Sequence, residues 1–364
     1  MAINKNVSVG QNNNKAKNRE DGPAVLPRNW YIRHRRVWRA GFILTAALAF
    51  YFLKIADYYP SKIDLNHRPD FFGVTFSTKF CDDLELDWRE TYAAILDDLK
   101  VKYIRIPVYW DEIEKNEGTY DFSKYDYLLE EGAKRQVKFI ISVGRRLPRW
   151  PECHSPAWLN HQDEIAIRVA TLNAIRTVVE RYRLNDSVEY WQVENEPFLS
   201  TFGVCPTLDS DFLQQEFDLV RSLDDRELII TGSGELGSWR RQAKIGDIFG
   251  STLYRVVYDP WVGFIRYPIP TFYYNLKAKL AGLSSERLMI LELQAEPWVP
   301  QGKMIYQSEK DVNRSMSVRQ FKANLQYAIN LNFRRSYVWG VEWWYFQKKY
   351  GNPEYWRIAE GLFK

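Results

Sequence analysis

The chain is poor in the residues that build metal and redox centres. Its 364 residues include three cysteines and four histidines. No C-x-x-C, H-x-H or H-E-x-x-H spacing joins them, so neither a structural zinc site nor a metalloprotease helix is written into the sequence. No glycine fingerprint for phosphate follows any apolar run, which removes the main reason to expect a dinucleotide fold. A basic body is missing too. The net charge is +4, but residues 1–40 hold nine Lys/Arg against two acids, +7, which leaves −3 for everything after them. Nucleic-acid binding needs a basic face, and this body has none to spare. The reading is therefore no metal, no cofactor, no nucleic acid and no evident obligate protein partner.

A long apolar run is also lacking. The longest, 40–53, has 14 residues against the roughly 20 of a membrane span. Adding Val37 and Trp38 before it, and Ile55 and Ala56 beyond Lys54, lengthens it enough to cross. Arg39 and Lys54 would then snorkel, with Trp38, Tyr58 and Tyr59 at the interfaces. Arg33, Arg35, Arg36 and Arg39 cluster just before and within its start, so the sequence predicts an uncleaved single-pass signal-anchor over 31–57. The N-terminus would be cytoplasmic and the remainder extracytoplasmic. A cleaved signal lacks its small cleavage-site residues here, and a buried helix would be entered oddly through an arginine block. Residues 1–30, polar and Asn- and Lys-rich, read as a disordered tail, and 58–69 as a linker.

What the chain has in plenty is aromatic and apolar side chains: 14 Trp, 23 Tyr and 46% hydrophobic residues, enough for one large core. Over 70–364, short apolar runs alternate with amphipathic segments, the pattern of βα units on a parallel sheet. The runs are 71–76, 103–108, 138–143, 188–193, 228–232, 253–257, 288–291 and 337–341. Helical rhythm lies between them at 88–99, 123–136, 161–182, 209–223 and 312–331. In 161–182, Leu172, Ile175, Val179 and Tyr182 form one stripe. Eight such units predict an α/β fold, a closed (β/α)₈ TIM barrel.

Working residues in such a barrel come from the C-terminal ends of strands. Those ends carry Arg105 near Tyr109-Trp110, the loop Arg145-Arg146-Leu147-Pro148-Arg149-Trp150, Glu196, Tyr254, Glu292 and Trp343-Trp344. The fourth run, Tyr190-Trp191-Gln192-Val193-Glu194-Asn195-Glu196, stops at Pro197, which removes a donor and favours extended geometry before it. The seventh ends in Leu291-Glu292-Leu293-Gln294. Two glutamates on separate strand ends are what two-carboxylate cleavage of a glycosidic bond requires, one protonated toward the leaving oxygen and one ionised toward the anomeric carbon. An arginine and a tyrosine hydroxyl nearby would stabilise the negative charge on Glu292. Strand alternation puts Glu194 a layer deeper, as a structural partner for an arginine, and lets Asn195 turn inward only if the chain leaves strand geometry at Pro197. Glu296 lies further out than Glu292.

These pieces resemble clan A glycoside hydrolases, the retaining (β/α)₈ enzymes. The resemblance covers roughly 70–350. It rests on Tyr103-Ile104-Arg105-Ile106-Pro107-Val108-Tyr109-Trp110 with Glu114 and Gly118-Thr119-Tyr120-Asp121-Phe122-Ser123, on Glu194-Asn195-Glu196-Pro197, and on Leu291-Glu292-Leu293-Gln294. It implies acid/base Glu196, nucleophile Glu292, Asn195 on the sugar 2-hydroxyl, Arg105 and Tyr254 beside the nucleophile, and a tryptophan after strand eight as sugar floor, for which Trp343 is taken over Trp344. Trp110 and His154 are placed near the substrate. The implied function is a membrane-anchored β-glycosidase acting on an extracytoplasmic glycan. A transglycosidase with the same residues and a silent carbohydrate-binding barrel are the alternatives. Arg145, Arg146 and Arg149 are either a site for an acidic sugar or a structural cluster. Cys81, Cys153 and Cys205 follow strands one, three and four on one rim, which permits one disulfide; Cys153–Cys205 is the preferred pair.

Overall fold

The computed structural model describes residues 28–56, 64–200, 202–205, 208–300 and 302–363. Most of the predicted tail, and 57–63 in and before the predicted linker, lie outside the described residues. The segment Arg28–Ala56 is one helix of 29 residues, on which Phe42, Ile43, Leu44 and Leu48 are exposed. Among the described residues no helix is long and apolar enough to cross a membrane. The predicted anchor segment is thus present as a helix.

The body is a closed barrel. Its strands are β1 (Phe72–Thr75), β2 (Tyr103–Pro107), β3 (Lys138–Val143), β4 (Val188–Val193), β5 (Leu228–Gly232), β6 (Ile248–Leu253), β9 (Leu288–Gln294) and β10 (Arg335–Trp339). A separate antiparallel pair, β7 (Val256–Asp259) and β8 (Gly263–Arg266), stands outside it. The barrel order is β1-β10-β9-β6-β5-β4-β3-β2, every pairing parallel. Helices follow the strands and start where short polar side chains cap them: Asp87 accepts from the amide of Glu90, and Asp163 from that of Ala166. Three residues of the predicted stripe on helix Glu164–Tyr182, Ile175, Val179 and Tyr182, are buried in the core between helices and barrel, while Leu172 is only half-buried.

Two predicted elements are corrected. The sixth barrel strand is not 253–257 but Ile248–Leu253; its glycine, serine and threonine hid it, while the more apolar Val256-Val257 went into the outer hairpin. The expected helix 312–331 is two, Glu309–Ser315 and Val318–Leu331, because the Ser317 side chain accepts from the Gln320 amide and starts a new helix.

Inside the barrel, Ile140, Tyr190, Ile229, Ile248, Met289, Leu291 and Tyr337 form an apolar plug. Toward the strand ends, Arg105, Ser142, Gln192 and Thr231 replace it with a buried polar layer. Cys153 and Cys205 are bonded, with a sequence separation of 52 residues, and Cys81 is a buried thiol. Replacing both bonded cysteines by serine should lower the unfolding free energy by about 4 kcal/mol on the loop-entropy model. Urea denaturation measures it.

Candidate active site

One guanidinium organises the mouth. Arg105 points into the barrel, fully buried, and spreads its donors over β4, the turn just past it and β9. Its Nε donates to Gln192 Oε1 at 2.7 Å, Nη2 to Asn195 Oδ1 at 2.9 Å, and Nη1 to the Leu291 carbonyl at 3.2 Å and Glu292 Oε1 at 3.3 Å. The Tyr254 hydroxyl donates to the other oxygen, Glu292 Oε2, at 3.1 Å. Asn195 is locked further by Gln192 Nε2 at 3.3 Å and the Thr231 hydroxyl at 3.2 Å. Arg105 and Tyr254 thus each hydrogen-bond one of the two Glu292 oxygens.

Asn195 reaches this cluster because strand geometry ends earlier than Pro197 suggests. β4 stops at Val193, and Glu194 and Glu196 both take positive φ, 59° and 43°. This turns Glu194 out of the mouth and Asn195 into it. Glu194 accepts from the backbone amides of Arg145 (2.7 Å) and Arg146 (2.5 Å), so its partners are arginine amides and not an arginine side chain. Gly144 makes room for it: a Cβ there would stand 2.3 Å from Glu194 Oε1, on a φ of +125°.

Glu292 also departs from simple alternation. Met289 and Leu291 face the plug and Ile290 the helices, which would send Glu292 outward. The register with β6 shifts between Ser251 and Thr252, opposite Ile290 and Glu292, and that with β10 shifts between Ser336 and Val338. This bulge re-aims Glu292 into the mouth.

Glu196 stands just past the end of β4, its amide donating to the Thr231 hydroxyl at 2.7 Å. Burial first, then the charges of Glu292, Glu152 and Glu235, push its carboxyl well above the ordinary range, against a smaller pull from Arg146. The site thus holds one carboxyl that keeps its proton and one held by a cation and a phenol. Tyr254 stays a phenol, since burial and the Glu292 charge raise it well above its usual value.

Three predicted contacts fall elsewhere. Trp110 is buried, edge-on to Trp158, and donates to Glu114 Oε2 at 2.6 Å; with the Gly118 amide on Glu114 Oε1 it closes the turn after β2. Trp343 is 1% exposed and packs on Tyr355, so it offers no face to a sugar; the tryptophan at the end of β10 is Trp339. His154 is buried against Tyr109 with Nε2 on the Arg149 carbonyl, and burial pushes its imidazole down to about 4.

Sequence reasoning missed Glu152. Its Oε2 accepts from Asn195 Nδ2 at 3.2 Å and lies 3.9 Å from Arg146 Nε, and burial with the Glu292 charge pushes it up to about 8. No local pattern marks it, since it arrives on a loop from β3. Burial likewise pushes Glu194 and Glu342 up to about 7. Each folded value exceeds the ordinary 4.5. The stabilisation from holding these protons is therefore complete below about pH 4.5 and is lost as pH rises through 7 to 8. Melting temperatures measured from pH 5 upward should fall on the alkaline side; a rise there would contradict the assignment. Among the described residues no group of His, Cys, Asp and Glu is placed to hold a metal ion.

No family model matches the chain. It is 22% identical over 178 residues to the β-galactosidase BgaA of Clostridium cellulovorans, covering 41% of this chain and 26% of that protein. It is 22% identical over 148 residues to mannan endo-1,4-β-mannosidase A of Emericella nidulans, covering 38% and 37%. The chain therefore matches only 26% and 37% of the length of these curated relatives. A glycosylated family 10 endo-β-1,4-xylanase from Gloeophyllum trabeum superposes with a TM-score of 0.52 at 15% identity, covering 81% of this chain and 97% of that one. At that identity the likeness concerns the fold. In its closed parallel barrel the chain resembles the (β/α)₈ glycoside hydrolases of clan A.

Proposed function

We propose that the protein is a retaining β-glycoside hydrolase. The observation that carries this is a pair of carboxyls in unlike surroundings at one mouth: Glu196, which burial and neighbouring charge push well above the ordinary carboxyl range, and Glu292, hydrogen-bonded by Arg105 and Tyr254. In the proposed reaction a Glu292 oxygen attacks the anomeric carbon while Glu196 gives its proton to the departing oxygen. The resulting glycosyl ester is opened by water, which loses a proton to Glu196. Asn195 is positioned for the 2-hydroxyl, where hydrogen bonds strengthen in the transition state.

The test is incubation with 2-deoxy-2-fluoroglycosyl fluorides of the β-galacto, β-manno, β-gluco and β-xylo series, followed by peptide mass spectrometry. Labelling of Glu292 is expected. A chain that takes no label and cleaves no aryl β-glycoside is a silent binder. If the labelled enzyme turns over faster with an added sugar acceptor than in buffer, it is a transglycosidase.

The proposal includes the placement of the barrel on the outer side of a membrane, held by helix Arg28–Ala56. The exposed apolar side chains of that helix support it. So does the Cys153–Cys205 bond, since disulfides persist in oxidising compartments. Release of the full chain from membranes by alkaline carbonate would refute it.

A further inference from the structure

We propose, building on the glycosidase reading, that Glu152 is a positioning residue. It aims the side-chain amide of Asn195 at the 2-hydroxyl of the sugar, so that its contribution to the rate is made only on substrates that carry that hydroxyl.

The Asn195 amide can face one way only. Its Oδ1 accepts from Arg105 Nη2 at 2.9 Å, from the Thr231 hydroxyl at 3.2 Å and from Gln192 Nε2 at 3.3 Å. A guanidinium has no acceptor to offer, and Gln192 gives its own oxygen to Arg105 Nε, so the group that meets these donors has to be the amide oxygen. The nitrogen then faces away from them, and one of its two N–H groups goes to Glu152 Oε2 at 3.2 Å. The partners of Oδ1 anchor one end of the amide, and Glu152 fixes the other, which sets the direction of the second N–H. An acceptor on the first N–H also polarises the amide, and this strengthens the second as a donor to a sugar oxygen.

Glu152 is built into this place. It is 4% exposed and takes a φ of 77°, a left-handed conformation that a glutamate keeps only where its surroundings impose it. On the hairpin after β3 its amide donates to the Arg149 carbonyl at 2.7 Å, its carbonyl accepts from the Leu147 amide at 2.8 Å, and the adjacent Cys153 bridges to Arg146. The loop after β4 presses on it from the other side. Gly203, itself at a φ of +85°, lies so near that a Cβ there would stand 2.6 Å from Glu152 Cγ. The Cys153–Cys205 bond and the Val204 amide, on the Pro151 carbonyl at 2.9 Å, hold that loop to the hairpin. Arg146 does not account for the placement, since its Nε is 3.9 Å from Glu152 Oε2, beyond hydrogen-bond reach. The Asn195 amide of the main chain donates to the Arg146 carbonyl at 2.7 Å, so the hairpin grips Asn195 by backbone and by side chain together.

The experiment compares kcat/KM of the full chain at pH 6 on 4-nitrophenyl β-galactoside, β-mannoside, β-glucoside and β-xyloside with that on their 2-deoxy counterparts. Glu152→Ala should lower kcat/KM on the 2-hydroxy substrates by about 10–100-fold and on the 2-deoxy ones by about threefold or less. The loss should fall chiefly on kcat, because the contact to the 2-hydroxyl strengthens in the transition state. Glu152→Gln should recover most of it: with its carboxyl pushed up to about 8, Glu152 is a neutral acid at pH 6, and glutamine reproduces the acceptor oxygen. Gly203→Ala, whose added methyl would drive Glu152 off Asn195, should show the same selective loss, and it carries the test if Glu152→Ala does not fold. Equal losses on both sets of substrates would make Glu152 merely structural and overturn the inference, as would no loss on either. A wild type that cleaves both sets equally well would overturn it too, leaving the glycosidase reading intact. A wild type that cleaves none of these substrates and takes no label from the fluorosugars ends both.

Discussion

Glu292→Gln leaves an intact barrel and almost no turnover, with kcat on aryl β-glycosides lower by about 10⁴-fold or more. The amide is isosteric and its one oxygen can still accept from Arg105 or Tyr254, with its nitrogen facing the other, so the structural change is limited to that one contact. It cannot form the glycosyl ester, so the covalent step is lost. Glu196→Ala behaves differently, and the contrast tests the roles. Without the acid, substrates with poor leaving groups should slow by about 10²–10⁴-fold, while dinitrophenyl glycosides, whose leaving group needs no proton, should still form the covalent intermediate. That intermediate then hydrolyses slowly for want of a base, and added azide should speed it and yield a β-glycosyl azide. Full activity in both variants would remove these residues from the mechanism. In the wild type, activity should decline as pH rises through the raised value of Glu196, because only its protonated form starts the reaction.

Arg105→Met should have the second largest effect, on both stability and rate. Arg105 is buried beneath the site and bonds to Gln192, Asn195, Glu292 and the Leu291 carbonyl. Removing it leaves a buried carboxylate without its cation and several acceptors without donors, a loss of about 3–5 kcal/mol for one broken buried pair. Urea melts measure that loss. At temperatures where the variant stays folded, kcat should still be far below wild type, since Asn195 and Glu292 lose their shared support. Arg105→Lys should recover only part of either quantity, because an ammonium cannot reproduce a planar fork that joins the end of β4 to β9. A variant that melts like wild type and turns over normally would show that the hub is dispensable.

The barrel was legible because its signals are local and repeated. Seven of eight apolar runs lie on barrel strands with small shifts of boundary, and the eighth, 253–257, missed because Ile248–Leu253 carries Gly250, Ser251 and Thr252 and looks less like a strand than the hairpin beside it. The same strand map put the three cysteines on one rim and permitted one disulfide, and the preferred pair, Cys153–Cys205, is the one bonded. Other residues were misread for want of partners. Trp110 and Trp343 look like exposed platforms in a linear sequence, but Glu114 and Tyr355 take them into the core. Arg149 and Glu152 carried no recognisable spacing, because their partners Glu296, Glu342 and Asn195 lie far away along the chain.

By itself the amino-acid order determined that acids, an arginine and aromatics would gather at the C-terminal ends of parallel strands, since strand runs and their proline and acidic stops are written residue by residue. Only the folded barrel decided which way those side chains point. The positive φ at Glu194, which swings Asn195 inward, and the bulge that re-aims Glu292 both reverse the alternation a lone strand would follow. Neighbouring strands set such departures, through their register and the groups they offer as partners, and that information exists only once the strands have met.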